Sequence, residues 1–182
     1  ELPVYDIDAK AFREFFVLPG DEWKWHFDLP DFGLRLIALD FNHTSDIDSS
    51  WQSCHALDAD SLQYRWCRDL LAEKDRPPLT VCLYNEQNST MRRISNKIWG
   101  TLFERVDLCA SGFGYFAEFT KVGETAYYNT SLNGLGDRYP DHAAKFTTNA
   151  NTFLLMTFKR DSSKFSSELI TLEGTPLPGS KH

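Results

Sequence analysis

Long hydrophobic runs are missing from this sequence. The most apolar stretches, residues 34–39, 79–83 and 153–158, are far shorter than the roughly 20 residues needed to cross a bilayer, which predicts a soluble chain with no membrane partner. Basic charge is scarce too. There are 19 Lys and Arg against 26 Asp and Glu, a formal net charge of -7, and no run of Lys and Arg makes the stripe that would neutralise a phosphate backbone. A nucleic-acid partner is excluded on that reading. The four cysteines, Cys54, Cys67, Cys82 and Cys109, show no Cys-x-x-Cys spacing. Cys82 and Cys109 fall in apolar runs, where a small buried thiol is the commoner role, so disulfides are not favoured. Glu1-Leu2-Pro3-Val4-Tyr5-Asp6 lacks the basic region and apolar run of a secretory leader. Against that, three Asn-x-Ser/Thr sequons begin at Asn42, Asn88 and Asn129, in or near polar stretches that would tolerate a glycan. The compartment stays open between the cytoplasm and export after loss of a leader.

What is present suffices for one domain: 182 residues, 42% hydrophobic and 14% aromatic, near the usual size of a folding unit. Helical spacing over residues 10–16 gathers Phe12, Phe15 and Phe16 on one side, an aromatic packing helix stopped by Pro19-Gly20-Asp21. Alternation in Trp23-Lys24-Trp25-His26-Phe27 predicts a strand with one buried face, turned at Asp31-Phe32-Gly33 into a buried strand over 34–39. Residues 40–60 read as a long polar loop. An amphipathic helix follows over 61–72, with Leu62, Trp66 and Leu70 at helical spacing, and Pro77-Pro78 precedes a short strand over 79–83. A helix over 94–104 then feeds a strand over 106–110 that ends in Ser111-Gly112. Strand, helix, strand is the pattern of a layered α/β unit. Further strands are expected over 115–120, 125–130, 153–158 and 168–172. Residues 1–175 read as a single domain or half-domain. Pro176-Leu177-Pro178-Gly179-Ser180-Lys181-His182 reads as a linker ending in the first residue of a purification tag.

Polar turns after short buried strands put candidate site residues at Tyr84-Asn85-Glu86 and over 111–115. In order, Phe15-Phe16-Val17-Leu18-Pro19-Gly20, Trp25-His26-Phe27-Asp28, Arg35-Leu36-Ile37-Ala38-Leu39-Asp40 and Gln63-Tyr64-Arg65-Trp66-Cys67 run along the chain. The set resembles the C-terminal part of the calcineurin-like metallophosphoesterases over residues 11–172. The resemblance implies a layered β-sandwich flanked by helices, or its C-terminal half alone, built around a pair of divalent metals, Mn, Fe, Zn or Mg. The sequence departs from the family where the metal ligands belong. Tyr84 or Asn85 stands at the strand-end His, and Gly112-Phe113-Gly114-Tyr115 replaces Gly-His-x-His. A binuclear site needs several imidazole and carboxylate ligands around an open position. Phe113 ligates nothing, and Tyr84 and Tyr115 would serve only as phenolates, whose phenols titrate near ~10. Asn85 and Glu86 still offer oxygen to a hard cation. No counterpart to the family's upstream Asp-x-His, Gly-Asp and Gly-Asn-His-Asp/Glu motifs is found, unless Glu1 is the last residue of one of them.

Smaller motifs compete with plain readings. Asp40-Phe41-Asn42-His43 is one residue off an Asp-x-His ligand pair, and a polar loop explains it as well. Over 136–142 two carboxylates and His142 suit either a cation or an ordinary turn. His26 reads as a half-buried strand residue. His55 beside Cys54 has no third orienting group and makes no nucleophile pair. The 129–133 segment reads as a ligand-contacting loop or a turn. The expectation is therefore a metallophosphoesterase-like chain that has lost its own metal site, needs no cofactor, and serves as a binding or structural subunit. The alternative is a phosphoesterase whose metal pair is completed by an upstream segment or partner chain. In either case an exposed strand edge invites a homo-oligomer or a second protein.

Overall fold

A computed structural model describes residues 10–20, 23–41, 43–45, 52–53, 55–113, 115–132 and 139–182. In chain order its elements are α1 (Lys10–Phe15), β1 (Trp25–Leu29), β2 (Leu34–Ala38), β3 (His43–Ser45), β4 (Gln52–Ser53), α2 (Leu62–Ala72) and β5 (Leu79–Tyr84). Then come α3 (Asn88–Arg93), α4 (Ile98–Phe103), β6 (Leu108–Ser111), β7 (Ala117–Val122), β8 (Thr125–Asn129), β9 (Ala144–Thr148), β10 (Thr152–Phe158) and β11 (Phe165–Thr171). Seven strands form one mixed sheet in the order β1-β2-β5-β6-β8-β7-β9. Strands β2, β5, β6 and β8 are parallel neighbours, while β1 and β7 run against them. Helices link β2 to β5 and β5 to β6, as parallel neighbours require. The fold is mixed α/β.

Alternation along the central strands divides the core in two. Ile37, Cys82, Tyr84, Cys109 and Tyr127 face the helices, where they meet Cys67, Leu71, Trp99 and Phe103. Leu34, Val81, Leu108, Ala126 and Tyr128 face the other way, onto a ribbon made by β10 and β11. Phe41, fully buried among Tyr84, Trp99 and Phe103, stabilises the helix side by roughly 1.5–3 kcal/mol.

Local sequence explains most element boundaries. Ser61 caps α2, its Oγ accepting the Tyr64 amide at 3.2 Å, and Gln63, Cys67, Leu70 and Leu71 form the buried stripe. Gly33 closes the β1–β2 hairpin at φ 58°, and a Cβ there would meet Pro78 Cγ at 3.0 Å. Conformation and space both demand glycine. Arg35, buried on β2, donates twice to Asp28 at 2.8 Å, to Glu73 at 2.6 Å and to the Leu70 carbonyl at 3.1 Å. That fork ties the hairpin to the end of α2.

Several expectations need correction. The α1 rings pack on each other, Phe12 and Phe15 each 4.8 Å from Phe16, and the helix buries no residue. Strand β1 has no fully buried face. Within the stretch read as that strand Lys24 is the buried residue, its ammonium 4.5 Å from the Trp23 ring and 5.4 Å from Trp66, so cation–π contact overrides the alternation. The 40–60 loop contains the β3–β4 pairing. The helix expected over 94–104 is the shorter α4, which starts only after left-handed Ser95, Asn96 and Lys97, and the helix before that turn, α3, was not expected. Strand β9 was not expected, because its short polar sequence Ala144-Lys145-Phe146-Thr147-Thr148 gains its place by pairing with β7.

The tail is not a loose linker. Leu177 N donates to Leu169 O at 2.9 Å, Ser180 Oγ accepts from Leu169 N at 2.8 Å, and His182 N donates to Ser167 O at 2.8 Å. Tyr128 Oη donates to the Ser180 carbonyl at 2.7 Å. Backbone pairing of this kind does not depend on side-chain composition, which is why a Pro- and Gly-rich sequence conceals it.

Candidate functional site

The C-terminal ends of the parallel strands converge on one edge of the sheet, where open α/β folds hold their ligands. Asp40 leaves β2 there. Its backbone is clamped by Gln63 of α2, whose Oε1 accepts from Asp40 N at 2.7 Å while Nε2 donates to Asp40 O at 2.9 Å. The Asp40 carboxylate lies 3.3 Å from His55 Nε2, and the His55 ring stacks on Trp23 at 3.9 Å. Asn85, after β5, accepts from Phe41 N at 3.3 Å. Asp40, His55 and Asn85 thus gather at the mouth of β2 and β5. His43 is described by its strand pairing with Ser53 alone, and Asn42 and Cys54 lie outside the described residues.

Tyr84 does not point into that mouth. It turns into the helix-side core, stacks on Phe103 at 5.6 Å and donates from Oη to Asn88 Oδ1 at 2.6 Å. Burial pushes its phenol well above the ordinary value, away from the phenolate a metal would need. Glu86 is buried, accepting from Gln87 N at 2.7 Å, and its carbonyl accepts from Ser111 Oγ at 2.6 Å. Beyond β6, Phe113 and Tyr115 pack edge to face at 5.0 Å, with Tyr115 exposed. The four positions expected to stand in for ligands are therefore split between the core, the mouth and an outer aromatic pair. Among the described residues no three His, Cys, Asp or Glu side chains come together in a way that could hold a metal ion.

Behind the strand ends runs a buried polar chain that sequence reading missed. Asn88 Nδ2 donates to Asn129 Oδ1 at 2.8 Å, Asn129 Nδ2 to Glu118 Oε1 at 3.3 Å, and Asp141 N to Glu118 Oε2 at 2.7 Å. Burial lifts the Glu118 carboxyl from 4.5 to about 7. Arg92, over the Tyr127 ring at 5.0 Å, pairs with Asp141, and Arg93 reaches the same carboxylate at 3.3 Å. The 129–133 segment thus contributes Asn129 to this chain, while 133–138 lies outside the described residues. Of the 136–142 stretch read as a cation site or a turn, Asp141 has both carboxylate oxygens facing guanidiniums, and 136–138 lie outside the described residues. The Asn-x-Ser/Thr triplets were the only visible mark of Asn88 and Asn129, and as glycan sites they mislead: both asparagines are buried.

The remaining candidates fall to plain roles. His26 faces Trp66 at 6.0 Å. Cys67, Cys82 and Cys109 are free and fully buried, with Cys82 and Cys109 cross-strand partners. Hydrogen bonding between neighbouring thiols and burial push Cys67 and Cys82 up, which leaves them unreactive. No helix of the described residues is long and apolar enough to cross a membrane.

No protein-family profile matches the chain, and no curated sequence matches it. Among solved structures, the fold is similar to GAP50, described as the anchor in the inner membrane complex of Plasmodium. The TM-score is 0.55 at 11% identity, over 88% of this chain and 52% of that one. The present chain therefore spans about half the length of a neighbour with which it shares a fold.

Proposed function

We propose that this chain is a metallophosphoesterase-like protein that works as a binding or structural subunit and not as a hydrolase in its own right. The observation that carries the reading is the orientation of Tyr84. On the family resemblance a metal-binding imidazole belongs at the end of β5, at Tyr84 or Asn85; Tyr84 is committed to the core and its hydroxyl to Asn88, and Asn85 offers an amide in place of an imidazole. A buried phenol raised above its ordinary value gives no phenolate at neutral pH. Among the described residues the donors at the mouth are Asp40, His55 and Asn85, fewer and more mixed than a metal pair requires.

A surface suited to a partner supports the same reading. Edge strand β1 carries His26 and Asp28, and edge strand β9 carries Lys145, charges that discourage further pairing. Strand β10, Thr-Phe-Leu-Leu-Met-Thr-Phe, carries none, and among the described residues it pairs on one side only, with β11. Phe153 and Leu155 are exposed on its outer face. An uncharged edge of this kind accepts a strand from another polypeptide. The neighbour of like fold is itself described as an anchor.

The test is twofold. After purification from medium supplemented with manganese and zinc, the chain is expected to hold no stoichiometric metal and to turn over no generic aryl phosphate. Its mass in solution is expected to rise with concentration or on adding a partner, and Leu155→Lys to abolish the rise. A bound metal pair with turnover by this chain alone would overturn the reading. The second reading, a metal-dependent phosphoesterase completed by an upstream segment or partner chain, is favoured by the 3.3 Å approach of Asp40 and His55. It requires metal at Asp40, Asn85 or Glu86 once the missing part is supplied.

A further inference from the structure

A cleft of about 630 Å³ lies between α3 and the 139–142 segment, walled by Ser89, Thr90, Arg93, Asp141 and His142. That volume falls within the roughly 300–1,000 Å³ usual for small-molecule sites. Its walls are held in place. Gln87 Nε2 donates to Tyr139 O at 2.6 Å, Ala143 N to Asp141 Oδ1 at 2.9 Å, and Asp141 N to the buried Glu118 at 2.7 Å.

The charges do not balance. Two guanidiniums, Arg92 and Arg93, share the single Asp141 carboxylate. Behind the cleft the buried Glu118 accepts from Asp141 N, and burial lifts its carboxyl to about 7. Arg92, Arg93 and Asp141 together carry one net positive charge, in a chain whose formal net charge is -7. The accessible guanidinium is that of Arg93. Its contact with Asp141 is the long one at 3.3 Å, and its side chain is 55% exposed where that of Arg92 is 13%. Ser89 and Thr90 add hydroxyl donors and His142 an imidazole beside it.

We infer that this cleft binds a small phosphate-type oxyanion, with Arg93 as the anchoring cation and Ser89, Thr90 and His142 as hydrogen-bond donors. A guanidinium and hydroxyls match the several oxygens of a phosphoryl group better than the two of a carboxylate. The site is separate from the strand-end mouth of Asp40 and Asn85, and the inference does not depend on the function proposed above.

Inorganic phosphate titrated into the intact chain at pH 6.5 and low salt, followed by amide NMR shifts, tests it. Saturable shifts are expected in residues 87–93 and 139–143, with acetate binding more weakly. Arg93→Ala should weaken phosphate about tenfold to a hundredfold, and Arg93→Lys should restore part of the loss. Should Arg93→Ala fail to fold, Thr90→Val reads the same donor set and should weaken phosphate several-fold. Absence of saturation by 50 mM phosphate, acetate binding as tightly as phosphate, or a folded Arg93→Ala that binds as well as the wild type would each overturn the assignment.

Discussion

Asn88 donates from Nδ2 to Oδ1 of Asn129 across 2.8 Å, joining α3 to the end of β8 inside the core. Both asparagines open glycosylation sequons, and both are about 1% exposed. A glycan on either would have to displace this contact and the Tyr84 hydroxyl bonded to Asn88. Secreted from a eukaryotic host, the folded protein is therefore expected to show no N-glycan at Asn88 or Asn129 by peptide mass spectrometry. Asn88→Ala, which takes the acceptor from Tyr84 Oη and the Nδ2 donor from Asn129 Oδ1, should cost about 1–3 kcal/mol in a urea melt. A glycosylated, folded Asn129 would contradict the buried chain.

Glu118 makes stability fall as pH rises. Its carboxyl goes from 4.5 to about 7 in the fold because burial disfavours the charge. Between those values the folded state keeps a proton that the unfolded chain has released, so raising the pH draws the equilibrium toward unfolding. The contribution is full below about pH 4.5 and gone above about pH 7. Glu118→Gln, which mimics the protonated group, should remove this dependence. The variant should gain on the wild type by on the order of 3 kcal/mol between those limits. Denaturant melts of both proteins from pH 4.5 to 7.5 check it, and parallel curves would refute it.

Arg35 answers the opposite sign. Its hydrogen bonds hold the Asp28 carboxyl below the usual range, so their contribution is present at neutral pH and lost as pH falls through the lowered value. Arg35 is buried while Asp28 and Glu73 are partly exposed, which moderates the loss. Arg35→Met is expected to cost about 2–4 kcal/mol at pH 7. The gap to the wild type should narrow below pH 3, as measured by urea melts at the two pH values.

The hairpin of β1 and β2, the span of α2 and the apolar strands β5 and β6 were legible because each is signalled within a few residues. Gly33, Pro77-Pro78 and the capping Ser61 mark their ends. The expected stripe of α2 was misplaced: Leu62 is exposed, and Gln63, Cys67, Leu70 and Leu71 are the buried residues. The same local signals hid α3 and the left-handed turn at 95–97 that separates it from α4. They also hid β9 and the tail, whose places come from backbone pairing with distant strands.

Sequence by itself determined the period of the apolar residues, the absence of a long hydrophobic span and the aromatic and amide residues at the ends of β5 and β6, where the proposed metallophosphoesterase resemblance would place imidazoles. Only the tertiary structure decided which way those residues point. Tyr84 faces the core, Asn85 accepts from Phe41 N, and Glu118, Asn129 and Asp141 join across β7, β8 and the 139–142 segment. The physical reason is that periodicity is set by neighbours along the chain. The partner of a buried polar group, and with it the group's charge, is set by whichever distant element packs against it.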